Sequence, residues 1–309
     1  IHGTKIQNYT SDPDNPLTGQ VWYNETANTL KVSTGALVSA WATGNSMNTA
    51  RKYLAGAGIQ TSALAFGGVT PPVQAITETW NGTNWTEVND LTTARQKLAG
   101  AGTNTAALAF GGFIPPSTAA TETWNGTNWT AVNAMNTARY SLAGVGTNTA
   151  ALAFGGRTPT TVAVTELWNG TNWTEVNDLN TARNALAGAG TQTAALGFGG
   201  SGPSALTESW NGTNWTEVND MGTARYSLAG VGTQTAALAI GGGYPGTTLT
   251  ESWDGTNWTE VNDLNTARTG LAGVGTNIAA LAFGGDAGSP TTATEEWGET
   301  GGNKTITTD

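Results

Sequence analysis

Short apolar runs recur along the whole chain and alternate with residues that favour turns. In the segment that follows Arg51, Leu64 and Phe66 alternate with Ala63 and Ala65, which is the period of two expected of a β-strand. The run before it consists almost wholly of Leu, Ala and Gly, and the run after it has Ile76, Glu78 and Trp80 on one face. The pattern predicts four strands, here named a, b, c and d, at residues 53–58, 62–66, 75–80 and 85–89.

This four-strand unit is repeated six times. A Trp-Asn-Gly-Thr-Asn-Trp segment, or its Asp-Gly variant, contains a strong hairpin signal and begins at Trp80, Trp124, Trp168, Trp210 and Trp253. A Thr-Ala-Arg tripeptide ends at Arg51, Arg95, Arg139, Arg183, Arg225 and Arg268, so the units are 42 to 44 residues long. A Gly-Gly pair closes strand b in each of the six units.

Four antiparallel strands at this period describe the blade of a β-propeller. The small residues of strand a suit the innermost position, and the tryptophans suit the outer strands, where gaps between blades widen. A β-solenoid is the alternative, although its repeats are normally shorter, and the Gly and Thr content excludes helical repeats. The sequence therefore predicts an all-β, six-bladed propeller of four-stranded antiparallel blades.

The repeat resembles the kelch motif. The features that carry this resemblance are the Gly-Gly after strand b, the Trp that opens strand d, and the Arg before the next strand a, and they cover residues 41–297. The chain lacks the Tyr that kelch units place after Gly-Gly and has Glu-X-Trp in strand c instead. The period also suits WD40 repeats, but their Gly-His and terminal Trp-Asp marks are missing. The resemblance implies a kelch-like propeller.

The two ends of the repeat region complement each other. The last unit loses its strand d after Trp297, and the missing piece aligns with residues from Trp41 to Arg51. We therefore expect an N-terminal strand at 41–45 to complete the sixth blade and close the ring, which leaves no unpaired edge between blades. The expected organisation is a hairpin extension at 1–40, the propeller at 41–297 and a tail at 298–309.

Residues 1–40 do not belong to the repeat. Gly19-Gln-Val-Trp-Tyr-Asn24 followed by Thr29-Leu-Lys-Val32 predicts a β-hairpin and resembles a short module of tailed-bacteriophage tail-fibre and virion proteins. An ordinary extension of the sixth blade is the alternative interpretation. The resemblance implies a virion or other extracellular location.

The composition limits which partners, metal sites and catalytic groups are expected. The net charge is −10 with only 12 Lys and Arg, so nucleic-acid backbone is not an expected partner. No cysteine and a single histidine, His2, argue against disulfides, thiolate or histidine metal sites and most catalytic triads. No apolar run is long enough to span a membrane. We expect no cofactor, no metal and no membrane insertion.

The units differ from one another mainly in one set of loops. The a–b and c–d turns are nearly uniform, whereas the b–c loops and the two residues after each repeat arginine vary, and loops on a rigid scaffold commonly carry function. Simple tolerance of change is the alternative. The predicted ligand-binding residues are, first, the tyrosines Tyr53, Tyr140, Tyr226 and Tyr244, and then Lys52, Lys97, Arg157 and Phe113.

Each repeat arginine has a glutamate in strand c of its own unit, and six structural Arg–Glu pairs are expected rather than a ring that gathers an anionic ligand. The glutamates are Glu78, Glu122, Glu166, Glu208, Glu251 and Glu295. The tryptophan pairs are expected between blades rather than stacked on carbohydrate. Sixfold repetition also argues against general acid–base work by the glutamates, because catalysis needs one asymmetric constellation.

No catalytic residue is assigned. Copper oxidases with kelch-type propellers need His and Cys ligands, and sialidase-type propellers need a convergent arginine trio beside a tyrosine. The sequence favours a non-enzymatic recognition module that binds a host surface glycan or protein. The alternatives are a structural decoration protein contacting neighbouring virion proteins and, third, a glycan-processing enzyme.

Overall fold

The computed structural model of the protein describes residues 6–11, 13, 20–33, 38–300 and 303–305. Every regular element in these ranges is a β-strand, and the strands form seven four-stranded sheets. No helix long and apolar enough to cross a membrane occurs among the residues described. The chain divides into two compact units, one comprising Trp41–Trp297 and the other Ile1–Ala40 with Gly298–Asp309.

The smaller unit contains one sheet. Its strands are ordered β1 (Gln7–Tyr9), β2 (Val21–Asn24), β3 (Thr29–Ser33) and β28 (Asn303–Thr305). Strands β2 and β3 form the expected hairpin, with Val21 opposite Val32, while β1 pairs with β2 in parallel. The tail therefore contributes a strand, because β28 pairs with β3.

Five sheets of the larger unit are each built within a single repeat, and their strands pair antiparallel in chain order. The first contains β5 (Ala55–Ile59), β6 (Ser62–Phe66), β7 (Thr77–Trp80) and β8 (Trp85–Val88). The second contains β9 (Ala99–Gly102), β10 (Ala107–Phe110), β11 (Thr121–Trp124) and β12 (Trp129–Val132). The third contains β13 (Ala143–Gly146), β14 (Ala151–Phe154), β15 (Thr165–Trp168) and β16 (Trp173–Val176).

The remaining sheets follow the same plan. The fourth contains β17 (Ala187–Gly190), β18 (Ala195–Phe198), β19 (Thr207–Trp210) and β20 (Trp215–Val218). The fifth contains β21 (Ala229–Thr233), β22 (Ala236–Ile240), β23 (Thr250–Trp253) and β24 (Trp258–Val261). In the sixth, β25 (Ala272–Gly275), β26 (Ala280–Phe283) and β27 (Thr294–Thr300) are followed by β4 (Val38–Gly44), from the beginning of the chain.

Two strands of the first repeat begin later than predicted. Strand a begins at Ala55 rather than residue 53, because the backbone N–H of Tyr53 donates to Gly270 O in the sixth repeat instead of the sheet ladder. Strand c begins at Thr77 rather than residue 75, because the carbonyl of Ala75 accepts from Leu91 N. Both late starts arise from contacts outside the hairpin, which the local pattern does not contain. Strand d also ends one residue earlier than predicted, at Val88.

The core lies between neighbouring sheets. Phe66 of the first repeat packs against Trp129 of the second with ring centroids 4.9 Å apart, and Trp129 Nε1 donates to Thr77 Oγ1 at 3.0 Å. Gly100 of the second repeat faces the same phenylalanine so closely that a Cβ there would lie 2.6 Å from Phe66 Cζ. The small residues of strand a therefore admit the aromatic side chain of the preceding repeat.

The Trp–Thr hydrogen bond recurs between successive sheets and also joins the sixth sheet to the first. The bonded pairs are Trp129–Thr77, Trp173–Thr121, Trp215–Thr165, Trp258–Thr207, Trp41–Thr250 and Trp85–Thr294. Five of these tryptophans are buried and Trp258 is partly buried, so they are unsuited to carbohydrate stacking on an open surface.

Candidate functional site

The repeat arginines anchor the variable b–c loops. Arg51 has a fully buried side chain whose Nη2 contacts Glu78 Oε1 at 2.9 Å, while its Nη1 donates to Gly67 O and Ile76 O. These two carbonyls stand at the beginning and end of the b–c loop, so one guanidinium ties both ends together. Burial lowers the pKa of Arg51 from its usual value, and the charge of Glu78 opposes that shift.

The same ion pair is present in all six repeats, with N–O distances of 2.8 to 3.2 Å. The pairs are Arg51–Glu78, Arg95–Glu122, Arg139–Glu166, Arg183–Glu208, Arg225–Glu251 and Arg268–Glu295. Because each side chain is at most 4 % exposed, these groups are committed to the scaffold and not to a ligand.

Immediately after the arginines, the chain forms a hydrogen-bonded hexad, which we define as Tyr53, Lys97, Ser141, Ala185, Ser227 and Gly270. The N–H of each member donates to the carbonyl of the equivalent residue in the adjacent repeat at 2.7 to 2.8 Å. All six residues have positive φ, between 52° and 61°. The left-handed conformation turns each amide along the hexad, and it is uncommon for residues as bulky as tyrosine.

The hexad borders a cavity of about 80 Å³. Its wall is completed by the leucine that follows each hexad member, beginning with Leu54. Two further cavities, of about 130 and 110 Å³, continue between the inner strands. The first is lined by the same leucines and by Ala and Gly of strand a, and the second by Ala, Val and Gly alone. The hexad side chains therefore stand at the mouth of a narrow space that runs along strand a of every repeat.

Six of the eight predicted ligand-binding residues lie together at this mouth. Lys97 Nζ lies 4.9 Å from the ring centroid of Tyr53 and 5.6 Å from that of Tyr140. The Phe113 ring packs against the Tyr140 ring with centroids 4.9 Å apart. We call this group the aromatic–basic cluster, and it consists of Lys52, Tyr53, Lys97, Phe113, Tyr140 and Arg157.

Backbone pairing explains how the cluster forms. The residue after each arginine pairs with the residue after Gly-Gly, which places Gln96 opposite Phe113 and Tyr140 opposite Arg157. The cluster thus combines hexad residues of the first and second repeats with loop residues of the second and third. Tyr226 and Tyr244 belong to the fifth repeat and share no ring contact with the cluster among the contacts described. Tyr244 is 86 % exposed.

Two contributors to the site were not singled out by the sequence reasoning. Asp286 Oδ2 contacts Lys52 Nζ at 2.5 Å and raises the pKa of that lysine. Gly270 lies against Tyr53, and a Cβ on Gly270 would lie 2.7 Å from Tyr53 Cδ1 and Cε1. Repeat position could have identified both residues. Asp286 follows its Gly-Gly pair as Arg157 does, and Gly270 is the second residue after its repeat arginine, as Lys97 is.

The charges within the cluster are unbalanced. Burial, followed by the charges of Arg157 and Lys52, lowers the pKa of Lys97 from its usual value. Lys52 has a carboxylate partner in Asp286, whereas neither Lys97 nor Arg157 has one within residues 38–300. The described residues contain no group of three or more His, Cys, Asp or Glu that could hold a metal ion, and His2 lies outside them.

No protein-family model matches the chain, and no curated protein matches it. Among solved structures, the chain is similar to the structure of YjhT, with a TM-score of 0.71 and 11 % sequence identity. The alignment covers 84 % of this chain and 99 % of that one. At this identity the likeness shows the fold alone, and together with the repeated four-stranded antiparallel sheets it fits a β-propeller.

Proposed function

We propose that the chain is a non-enzymatic recognition module that binds a host surface glycan or protein through its b–c loops. The observation that carries this proposal is the aromatic–basic cluster. It is the place where an otherwise repetitive molecule gathers partly accessible tyrosine, phenylalanine, lysine and arginine side chains beside a cavity. Tyrosine supplies large contact area at low entropic cost, and the anchored loops are already held in place before binding.

The proposed scaffold is a closed, kelch-like ring of six blades. Strand β4 in the sixth sheet, the Trp–Thr bonds and the hexad all support closure. Trp41→Ala removes a side chain that packs against Trp297 and donates to Thr250. If the ring is closed, the loss should be about 3 kcal/mol or more and should lower a single cooperative melting transition by roughly 10 °C. A transition left unchanged would contradict closure.

The burial of six arginines in ion pairs supports a non-enzymatic role. All seven arginines of the chain lie in the described residues, six are buried in glutamate pairs, and Arg157 alone is exposed. A trio of arginines converging on a substrate is therefore not formed from these side chains. The proposed setting is a virion or another extracellular particle, for which the N-terminal hairpin sequence provides the support.

The experiment is a binding screen of the purified chain on a glycan array and on whole bacterial cells. Tyr140→Ala should weaken binding at least tenfold, since buried aromatic anchors commonly contribute more than about 1.4 kcal/mol. Tyr226→Ala is the matched control, because Tyr226 occupies the same repeat position outside the cluster. Equal losses in both variants would refute the cluster as the site.

A decoration protein is the second candidate, and one feature favours it. Ile59 and Ile278 are 55 % and 65 % exposed in a–b turns where the other repeats carry polar residues. Exposed isoleucines at these otherwise uniform a–b connections suit contact with a neighbouring protein. Failure of the chain to bind any glycan or cell would overturn the recognition proposal and favour this second role.

A further inference from the structure

The cations of the larger unit are distributed very unevenly. Residues 41–297 contain nine Lys and Arg, and six of these are the buried arginines paired with glutamate. The three that remain are Lys52, Lys97 and Arg157, and all belong to the aromatic–basic cluster. The same range has 17 Asp and Glu, so the rest of its surface is acidic. Every cation not used by the scaffold is therefore placed at one site.

Lys97 is the centre of this arrangement. Its Nζ is held near the rings of Tyr53 and Tyr140, which attract a cation but cannot neutralise it. Asp286, the carboxylate that contacts the cluster, is already bound to Lys52 at 2.5 Å. The guanidinium of Arg157, whose Nε donates to Pro159 O, has no carboxylate partner within residues 38–300, and its charge disfavours the half-buried ammonium of Lys97 in the free protein. A bound anion would relieve this repulsion.

The backbone at the mouth cannot supply this anion site. Each hexad N–H already donates to a neighbouring carbonyl, so an anion must be bound by side chains. Lys97 and Arg157 are the cations of the cluster that have no carboxylate partner within residues 38–300. Beside them stand the partly exposed rings of Tyr140 and Phe113, which offer a flat apolar contact. These two cations beside two aromatic rings fit a ligand that has one anionic group next to a ring with an apolar C–H face. They fit an extended acidic peptide less well.

Resting on the recognition role proposed above, we infer that the ligand is an acidic saccharide whose carboxylate pairs with Lys97 and Arg157 while its sugar ring packs against Tyr140 and Phe113. Lys52 pairs with Asp286, so the positive charge of Lys52 is already balanced by a carboxylate of the protein. The acidic surface elsewhere repels the same ligand and so confines it to the mouth.

The test compares binding to charged and neutral glycans on the glycan array. Carboxylated glycans should dominate the bound set, and the tightest of them should bind at least tenfold more weakly after conversion to its methyl ester. Lys97→Met and Arg157→Gln should each weaken binding tenfold or more, whereas Lys97→Arg should restore part of it. Lys31→Gln is the charge control, because Lys31 lies in the smaller unit, and it should bind as the parent does.

The outcomes separate this inference from the recognition role. Binding confined to neutral glycans, or methyl esters that bind as well as acids, would overturn the acidic ligand and leave recognition intact. A preference for sulfated glycans or for tetraglutamate over carboxylated glycans would also overturn it. Absence of binding to every glycan and cell would remove both proposals together.

Binding should also depend on pH. The groups that face Lys97 are the cations Lys52 and Arg157 and the rings of Tyr53 and Tyr140. Because the pKa of Lys97 is lowered in the free protein, affinity for the carboxylate should be greatest at neutral pH and fall as pH rises through that lowered value. In Lys97→Arg the fall should disappear from this range, since arginine stays charged. Parallel pH profiles for the two proteins would contradict the pairing.

Discussion

Gly270→Ala tests the position of Tyr53 without altering any side chain that would touch a ligand. The added Cβ would lie 2.7 Å from Tyr53 Cδ1 and Cε1, whereas carbon atoms pack best at about 3.5–4.0 Å. The tyrosine ring must therefore move by about 1 Å. The backbone itself should accept alanine, because Ala185 occupies the equivalent place in the hexad with a φ of 54° against 61° for Gly270.

Movement of Tyr53 should weaken ligand binding. Its ring lies 4.9 Å from Lys97 Nζ, and a partly exposed contact of this kind contributes about 0.5–1 kcal/mol, so we expect a loss of about twofold to fivefold in affinity. Titration calorimetry with the best array ligand measures this directly. The free energy of unfolding should fall by no more than the cost of overpacking, about 1–3 kcal/mol.

The matched control is Ser227→Ala. Ser227 is also a hexad residue with positive φ, but unlike Gly270 it has no contact with an aromatic ring among the contacts described for residues 38–300. This control should bind the ligand as the parent does. If Gly270→Ala also bound with parental affinity while remaining folded, the assignment of Tyr53 to the site would be refuted.

Two further predictions concern the scaffold, and the repeats supply their own controls. Gly188→Ala should destabilise the protein by more than Gly273→Ala, because both glycines face a valine at 3.1 Å but only Gly188 also faces a phenylalanine, Phe154, at 2.7 Å; equal shifts in denaturant midpoint would contradict this packing. Glu166→Gln leaves the buried Arg139 without its counter-charge and should cost about 3–5 kcal/mol, which a thermal melt would show as a fall of roughly 10 °C or more. A change below about 1 kcal/mol would mean that the pair contributes little to folding.

Local patterns predicted much of the repeat architecture. Strand b of the first repeat has the predicted bounds, Ser62–Phe66, because its alternation is complete and Gly67 ends it. The predicted start of strand a was wrong because the N–H of Tyr53 donates to the carbonyl of Gly270, which lies more than 200 residues away in sequence. A contact over that distance leaves no trace in the spacing of apolar residues near Tyr53.

The candidate site was partly visible in sequence for a similar reason. Comparison of the repeats showed which positions vary, and those positions include Tyr53, Lys97 and Tyr140, which the structure brings together. It could not show that Asp286 would bind Lys52, because this ion pair joins the sixth repeat to the first. Nor could it show that Tyr226 would lie apart from the cluster, since its local sequence closely matches that around Tyr140.

The conformation of the hexad gives a final reason to place function at this mouth. A left-handed backbone costs an L-residue roughly 1–2 kcal/mol, and glycine avoids that cost, yet glycine occupies only one of the six hexad positions. Tyr53 and Lys97 are the two large side chains held in this strained conformation, and they are also the two that meet over the cavity. Strain that persists is commonly found where a side chain must be held for a purpose. Glycine at these two positions would avoid that strain, so the tyrosine and the lysine there support the binding role proposed for this end of the molecule.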